Sequence, residues 1–126
     1  MRSRSWLFIL VIGIAGMAMM GFLTKFALES NPGLVRMIRD FGGKAVGIPG
    51  NDVFLGEKTK GIDANGNRVD IGRVGEVVGC QLTHMDAAHN AGIVPVISPL
   101  AAELATGKPL NINADLAAAA LAKELR

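Results

Sequence analysis

A short polar motif near the C-terminus carries the side chains best suited to chemistry. Asn111, Asn113 and Asp115 alternate with apolar or small residues, after an apolar run and before an alanine-rich segment that favours a helix. Because alternate side chains of a strand point the same way, the three polar groups are expected to cluster at the carboxyl end of a strand. Free backbone N–H groups at the start of the next helix favour anionic ligands. The motif therefore predicts a corner that binds an anion.

The same motif has a purely structural interpretation. Asn113 is a preferred N-cap residue, and Asp115 in the first helical turn interacts favourably with the helix dipole. The local pattern favours capping for these two residues. Asn111 lies two residues before the cap and has no capping role, so the functional interpretation depends on it most.

The elements that must position this corner follow the order of an α/β domain, in which helices cover both faces of a parallel sheet. Helices are predicted over residues 31–43, 82–91 and from 114 onward. Strands are predicted over residues 44–50, 74–80 and 93–97.

Three details of the middle segment bear on the topology. Asn65-Gly66 is a strong turn signal, and the runs 53–55 and 68–71 on either side of it predict a hairpin. Pro95 argues against a fully paired central strand unless its nitrogen lies at an unpaired position. Residues 98–108 are expected to be a loop.

Composition excludes several classes of function. The 126 residues carry 13 basic and 11 acidic side chains, a net charge of +2, with no basic patch interleaved with aromatic residues, so no nucleic-acid partner is predicted. A single cysteine, Cys80, excludes an internal disulfide and agrees with a cytoplasmic location. His84 and His89 lie five residues apart and do not share a helix face, so no metal site is predicted.

The N-terminal segment differs from the rest. Residues 5–24 are uncharged and follow Arg2 and Arg4, and about 20 apolar residues suffice to span a bilayer. One interpretation is a hydrophobic helix that anchors the chain in a membrane, and another is an extension that is not native to the fold. Two segments are therefore predicted: residues 1–30, membrane-anchor-like or non-native, and residues 31–126, the partial α/β domain.

Four ordered segments resemble the amino-acid kinase family, and within it the acetylglutamate kinases of arginine biosynthesis. They are Gly43 to Ile48, Val74 to Val78, Ala91 to Ile97, and the stretch from Leu110 to Ala118 that contains the Asn-Ile-Asn-Ala-Asp motif. The resemblance covers about residues 31–126 and agrees with Pro95, because the family carries proline in the equivalent strand.

The resemblance implies part of a three-layer α/β/α sandwich that transfers the γ-phosphoryl group of ATP, with Mg²⁺, to the side-chain carboxylate of N-acetyl-L-glutamate. It gives Asn111 a contact with the amino-acid substrate and gives Asp115 the role of positioning two catalytic lysines. It places the hairpin of residues 51–73 over the amino-acid substrate, and it implies a homo-oligomer for the full-length family.

The chain also departs from the family. Residues 1–30 lack the family's Lys-x-Gly-Gly strand and phosphate-binding glycine loop, and the nucleotide half with its second catalytic lysine is expected beyond Arg126. We therefore expect a central fragment that binds ATP weakly and is inactive alone. The alternatives are a small membrane-anchored binding module and another amino-acid kinase that acts on glutamate or aspartate.

Overall fold

The computed structural model describes residues 10–11 and 32–125. The helices are α1 (Pro32–Asp40), α2 (Thr83–Asn90) and α3 (Ala114–Glu124), with a 3-10 turn at Gly50–Asp52. The strands are β1 (Leu10–Val11), β2 (Ala45–Ile48), β3 (Phe54–Lys58), β4 (Gly61–Ile62), β5 (Arg68–Val69), β6 (Gly75–Cys80), β7 (Val94–Ile97), β8 (Leu100–Glu103) and β9 (Pro109–Asn111).

A three-stranded parallel sheet in the order β1-β7-β2 forms the centre of the fold. On one face, Val35 of α1 packs with Ala45 and Val96. On the other face, Ile48 and Ile97 join the main core with side chains of α2 and α3: Met85, Ala117 and Leu121. Helices thus cover both faces of this sheet, in agreement with the predicted α/β layering.

Pro95 lies in the central strand of this sheet without losing a described hydrogen bond. The N–H of Val94 donates to the carbonyl oxygen of Lys44 at 2.8 Å, which faces β2. Because successive residues of a parallel strand face opposite neighbours, the Pro95 nitrogen faces the β1 side. The described pairing with β1 begins one residue later, at Leu10 opposite Val96. The residue that would face Pro95 on that side lies outside the described residues, so the unpaired nitrogen stays a prediction.

The other strands form a separate mixed sheet in the order β6-β3-β8-β9, together with the two-stranded ribbon β4-β5. The predicted parallel sheet is therefore confirmed for β1-β7-β2, and the mixed sheet adds antiparallel pairs beside it. The hairpin partners also differ from the prediction, because β3 pairs with β6, and β5 pairs with β4. The predicted turn itself is confirmed: Oδ1 of Asp63 accepts hydrogen bonds from the N–H groups of Asn65 and Asn67 at 2.9 and 2.8 Å, and Gly66 has a φ of 82°.

The predicted loop at residues 98–108 contains β8. This strand pairs in parallel with β3 and antiparallel with β9, and Leu100 and Ala101 are fully buried. Alanine is a weak strand former, so the short Leu-Ala-Ala-Glu sequence gives little local signal. Its conformation is stabilised by pairing with β3 and β9, which a pattern within these four residues does not reveal.

The N-terminal segment is described at two residues. Leu10–Val11, within the apolar run for which a helix is predicted, is a strand parallel to β7. A short apolar run fits a buried parallel strand as well as a helix, and hydrophobicity alone does not distinguish the two. The rest of residues 1–30, including most of the predicted anchor at 5–24, lies outside the described residues. Within residues 32–125, no helix has the length and apolar character needed to cross a bilayer.

Candidate functional site

The predicted corner is formed by the end of β9 and the start of α3. Leu110 and Ile112 are buried, at 0% and 8% exposure, and they anchor this segment in the core. Asn111 and Asn113 alternate with them, so their side chains leave the strand on the opposite face. A shift of one residue in register would bury both amides, and the hydrophobic pattern prevents it. Core packing therefore determines which side of the corner is polar.

Asn113 is the N-cap of α3. Its Oδ1 accepts hydrogen bonds from the backbone N–H groups of Asp115 at 2.9 Å and Leu116 at 3.1 Å. These bonds satisfy two of the N–H groups that a helix leaves unpaired at its start. The capping interpretation is thus confirmed for Asn113, whose side-chain oxygen is used within the fold.

Asp115 lies in the first turn of α3 and is exposed. Its backbone is fixed by the Asn113 cap, while its carboxylate lies at the positive end of the helix dipole, where negative charge is favourable. The structure therefore provides a solvent-accessible carboxylate on a backbone that the cap fixes. The cap holds it next to Asn113 in space as well as in sequence.

Asn111 is half-buried at the end of β9, and its side chain contacts the backbone of Arg73. Its backbone N–H donates to the carbonyl oxygen of Arg73 at 2.8 Å, and its side-chain Nδ2 donates to the same oxygen at 3.1 Å. Asn111 also forms a parallel bridge with Val74, the residue before β6. Since β6 is the first strand of the mixed sheet and β9 the last, this bridge brings the two edges of that sheet together.

Sequence reasoning gave Arg73 no role, yet its carbonyl oxygen accepts two hydrogen bonds from Asn111. Its guanidinium Nη2 lies 2.7 Å from Oε2 of Glu103, and its Nε donates to the carbonyl oxygen of Pro109 at 3.3 Å. These partners are 30 and 36 residues away in the chain. A single arginine between Gly72 and Val74 has no local pattern that reveals such contacts.

A second polar feature missed by the sequence lies at the carboxyl ends of β2 and β7. The Gly50 N–H donates to Oγ of Ser98 at 2.8 Å, and Ser98 is fully buried. In the adjacent turn, Oδ1 of Asn51 is buried without a hydrogen-bond partner among the described residues. Open α/β sheets bind ligands outside the carboxyl ends of their strands, so this turn lies on the functional side of the sheet.

The side chains with metal or nucleophile chemistry do not form a centre within residues 10–11 and 32–125. No group of three or more His, Cys, Asp or Glu residues there could hold a metal ion. Burial raises the pKa of the Cys80 thiol, and the negative charge of Glu124 raises it further. A raised pKa disfavours the thiolate, so this half-buried cysteine has the character of a structural residue.

Comparison with known proteins identifies the family of this chain. Residues 11–126 match the amino acid kinase family, and the chain belongs to that family. It is 59% identical over 96 residues to an acetylglutamate kinase of Akkermansia muciniphila, a match that covers 76% of this chain and 32% of that protein. It is 41% identical over 101 residues to an acetylglutamate kinase of Leifsonia xyli, covering 78% and 33% of the two chains.

The chain thus spans about a third of the length of these curated relatives. A solved structure, that of smu.665 from Streptococcus mutans, is similar with a TM-score of 0.66 and 20% sequence identity. The similarity covers 96% of this chain and 49% of that one, and it supports the fold alone.

Proposed function

We propose that this chain forms the amino-acid-binding part of an acetylglutamate kinase and acts in the cytoplasm. The observation that carries the proposal is the 59% identity with an acetylglutamate kinase over 96 residues. The Asn-Ile-Asn-Ala-Asp motif folds as a strand end joined to a capped helix, which gives its polar groups fixed positions. The substrate proposed for this site is N-acetyl-L-glutamate.

Asn111 and Asp115 have different proposed roles. The Asn111 carboxamide contacts the amino-acid substrate through hydrogen bonds, so its loss weakens binding. The Asp115 carboxylate orients the ammonium groups of two catalytic lysines that the complete enzyme supplies. Because these lysines act on charge that develops in the transition state, loss of Asp115 lowers turnover.

We propose that Mg²⁺ and ATP are held by parts of the complete kinase other than residues 32–125. Among the described residues, no group of three or more His, Cys, Asp or Glu residues could hold a metal ion, and the Gly42-Gly43 pair follows α1 as a helix stop, with Gly42 at a φ of 85°. We therefore assign only amino-acid binding to residues 32–125, and we propose that the chain alone does not transfer phosphate.

Ligand binding by the purified chain tests the acceptor. We expect isothermal titration calorimetry to detect N-acetyl-L-glutamate, with weaker binding of L-glutamate and L-aspartate, which lack the acetyl group. Asn111→Ala should lose most of the affinity, whereas Arg36→Gln, on the exposed side of α1, should not change it. Stronger binding of L-glutamate or L-aspartate would replace this substrate with that of another amino-acid kinase.

A chimera tests the kinase role. Residues 32–125 of this chain replace the matching segment in the acetylglutamate kinase of Akkermansia muciniphila. ATP consumption by the chimera is then measured with N-acetyl-L-glutamate. We expect an active chimera in which Asp115→Ala lowers kcat at least about 100-fold, as expected for a group that orients catalytic charges. Glu124→Ala, at the other end of α3, is the matched control. An inactive but folded chimera would contradict the proposal.

A further inference from the structure

Arg73 contacts both ends of β9. This strand has three residues, Pro109–Asn111. The Arg73 side chain donates from Nε to the carbonyl oxygen of Pro109 at 3.3 Å, and the Arg73 carbonyl oxygen accepts from the N–H of Asn111 at 2.8 Å. One residue therefore fixes both the start and the end of the strand that leads into the functional corner.

The Arg73 carbonyl also sets the orientation of the Asn111 side chain. It accepts a second hydrogen bond, from Nδ2 of Asn111 at 3.1 Å. An asparagine amide donates through its nitrogen and accepts through its oxygen, so a bond to Nδ2 determines which way each end points. A movement of the Arg73 backbone would remove this constraint on the orientation of the carboxamide.

The guanidinium is itself held in place. Its Nη2 pairs with Glu103 at 2.7 Å, and it lies 3.4 Å from the carbonyl oxygen of Lys108. The Glu103 side chain is 12% exposed, and its Oε2 also accepts from Oγ1 of Thr106 at 2.6 Å. Charge-assisted bonds of this kind are shorter and stronger than neutral ones, so the pair limits the motion of Arg73.

We propose that Arg73 is a positioning residue for Asn111. Through its ion pair with Glu103 it holds its own carbonyl oxygen where that oxygen orients the Asn111 carboxamide for the amino-acid substrate. The substrate part rests on the function proposed above. The orientation of the carboxamide is a property of the chain alone and is measured without ligand.

A merely structural role for Arg73 makes a different prediction. In that case its replacement lowers the stability of the sheet edge but leaves the Asn111 side chain and ligand affinity unchanged in the molecules that remain folded. The two roles are therefore separated by a local signal from Asn111 rather than by stability.

The experiment uses the whole 126-residue chain labelled with ¹⁵N and ¹³C. NMR records the side-chain amide resonances of Asn111, assigned from Asn111→Ala, and the coupling across the hydrogen bond from its Nδ2 to the Arg73 carbonyl. Arg73→Gln and Glu103→Gln are compared with Arg36→Gln, which breaks an exposed pair whose atoms are 3.9 Å apart. Titration with N-acetyl-L-glutamate gives the Kd of each variant.

We expect both changes in the pair to shift the Asn111 side-chain resonances, weaken the coupling and raise the Kd about tenfold, the effect of losing roughly 1.4 kcal/mol. Arg36→Gln should match the native chain. Unchanged Asn111 resonances in folded Arg73→Gln or Glu103→Gln protein would overturn the inference.

The measurement also separates this inference from the proposed function. If the native chain does not bind N-acetyl-L-glutamate, the substrate proposal fails, while the ligand-free resonances still decide whether Arg73 orients Asn111. If Arg73→Gln does not fold, Glu103→Gln decides instead, because it retains the arginine and its bond to the Pro109 carbonyl. Altered binding with unaltered Asn111 resonances would also count against positioning.

Discussion

Ser98 accepts a hydrogen bond from the backbone N–H of Gly50 across the carboxyl ends of β7 and β2. The distance is 2.8 Å, and both residues are buried. A buried N–H without a partner costs about 1–3 kcal/mol, so this bond compensates for a polar backbone group at the point where β2 leaves the sheet. It also holds the 3-10 turn of Gly50–Asp52 against β8, just before the chain enters β3 of the mixed sheet.

The close contact at Gly50 gives the first prediction. A Cβ at this position would overlap the carbonyl oxygen of Ser98 and lie 2.5 Å from that of Leu100. Both obstacles are backbone atoms that cannot rotate away, so we expect Gly50→Ala to destabilise the chain by about 3 kcal/mol or more. Urea unfolding followed by circular dichroism measures the change.

Gly33→Ala is the matched control for this substitution. Gly33 lies in α1, and a Cβ there meets nothing within 4 Å. Since alanine is favoured over glycine in a helix by up to about 1 kcal/mol, the control should leave stability equal or higher. Equal stability of Gly50→Ala and the native chain would contradict the steric argument.

The N-cap of α3 gives the second prediction. Asn113→Ala removes the oxygen that accepts from the N–H groups of Asp115 and Leu116. We expect a loss of about 1 kcal/mol in the free energy of unfolding, as for other caps, and a smaller loss for Asn113→Ser, which retains a capping oxygen. A similar loss in both variants would mean that the asparagine acts through another contact. Urea midpoints at constant slope provide the measurement.

The elements that sequence predicted are those with strong local signals. Pro32 suits the first position of a helix, and Val35 and Ile38 lie on one apolar face, so local sequence predicts α1. The Asn65-Gly66 turn follows from two adjacent residues. The cap at Asn113 follows equally from local chemistry. Each of these depends on residues within a few positions of one another, which is the range that a pattern in one sequence can cover.

The features that sequence missed depend on distant partners. β8 is stabilised by pairing with β3 and β9, and the Asn111 side chain donates a hydrogen bond to the carbonyl oxygen of Arg73, 38 residues away. Such contacts form only when separate segments of the chain fold together. The roles of Asn111 and Asp115 come from the family resemblance and stay predictions.

Cys80 gives the third prediction, which concerns reactivity. Burial and the charge of Glu124 raise the pKa of its thiol, so little thiolate is present at neutral pH. We expect iodoacetamide to react more slowly with the folded chain than with the chain in urea. Glu124→Gln should increase the rate in the folded state, because one of the two causes is removed. An unchanged rate in that variant would mean that burial alone raises the pKa of the thiol.

The Arg73–Glu103 pair gives the last prediction, the pH dependence of stability. The hydrogen bond from Thr106 and the ion pair with Arg73 lower the pKa of the Glu103 carboxyl in the folded chain. A carboxyl with a lowered pKa contributes stability above its unfolded-state pKa, and this contribution is lost as the pH falls through its folded-state value. Acidification below about pH 5 should therefore remove it.

Urea unfolding of the native chain and of Glu103→Gln, measured from neutral pH downward, tests this prediction. The native chain should be more stable at neutral pH, and the difference should shrink as the medium is acidified, because protonation neutralises the Glu103 carboxylate, whereas the neutral glutamine does not titrate. Thr106→Val should reduce the pH dependence in part, since it removes the first cause of the lowered pKa. Arg36→Gln should give a profile parallel to that of the native chain. A constant difference between the native chain and Glu103→Gln at every pH would show that the carboxylate charge contributes nothing to the fold, and the anchoring of Arg73 would then have to come from the carbonyl oxygens of Lys108 and Pro109.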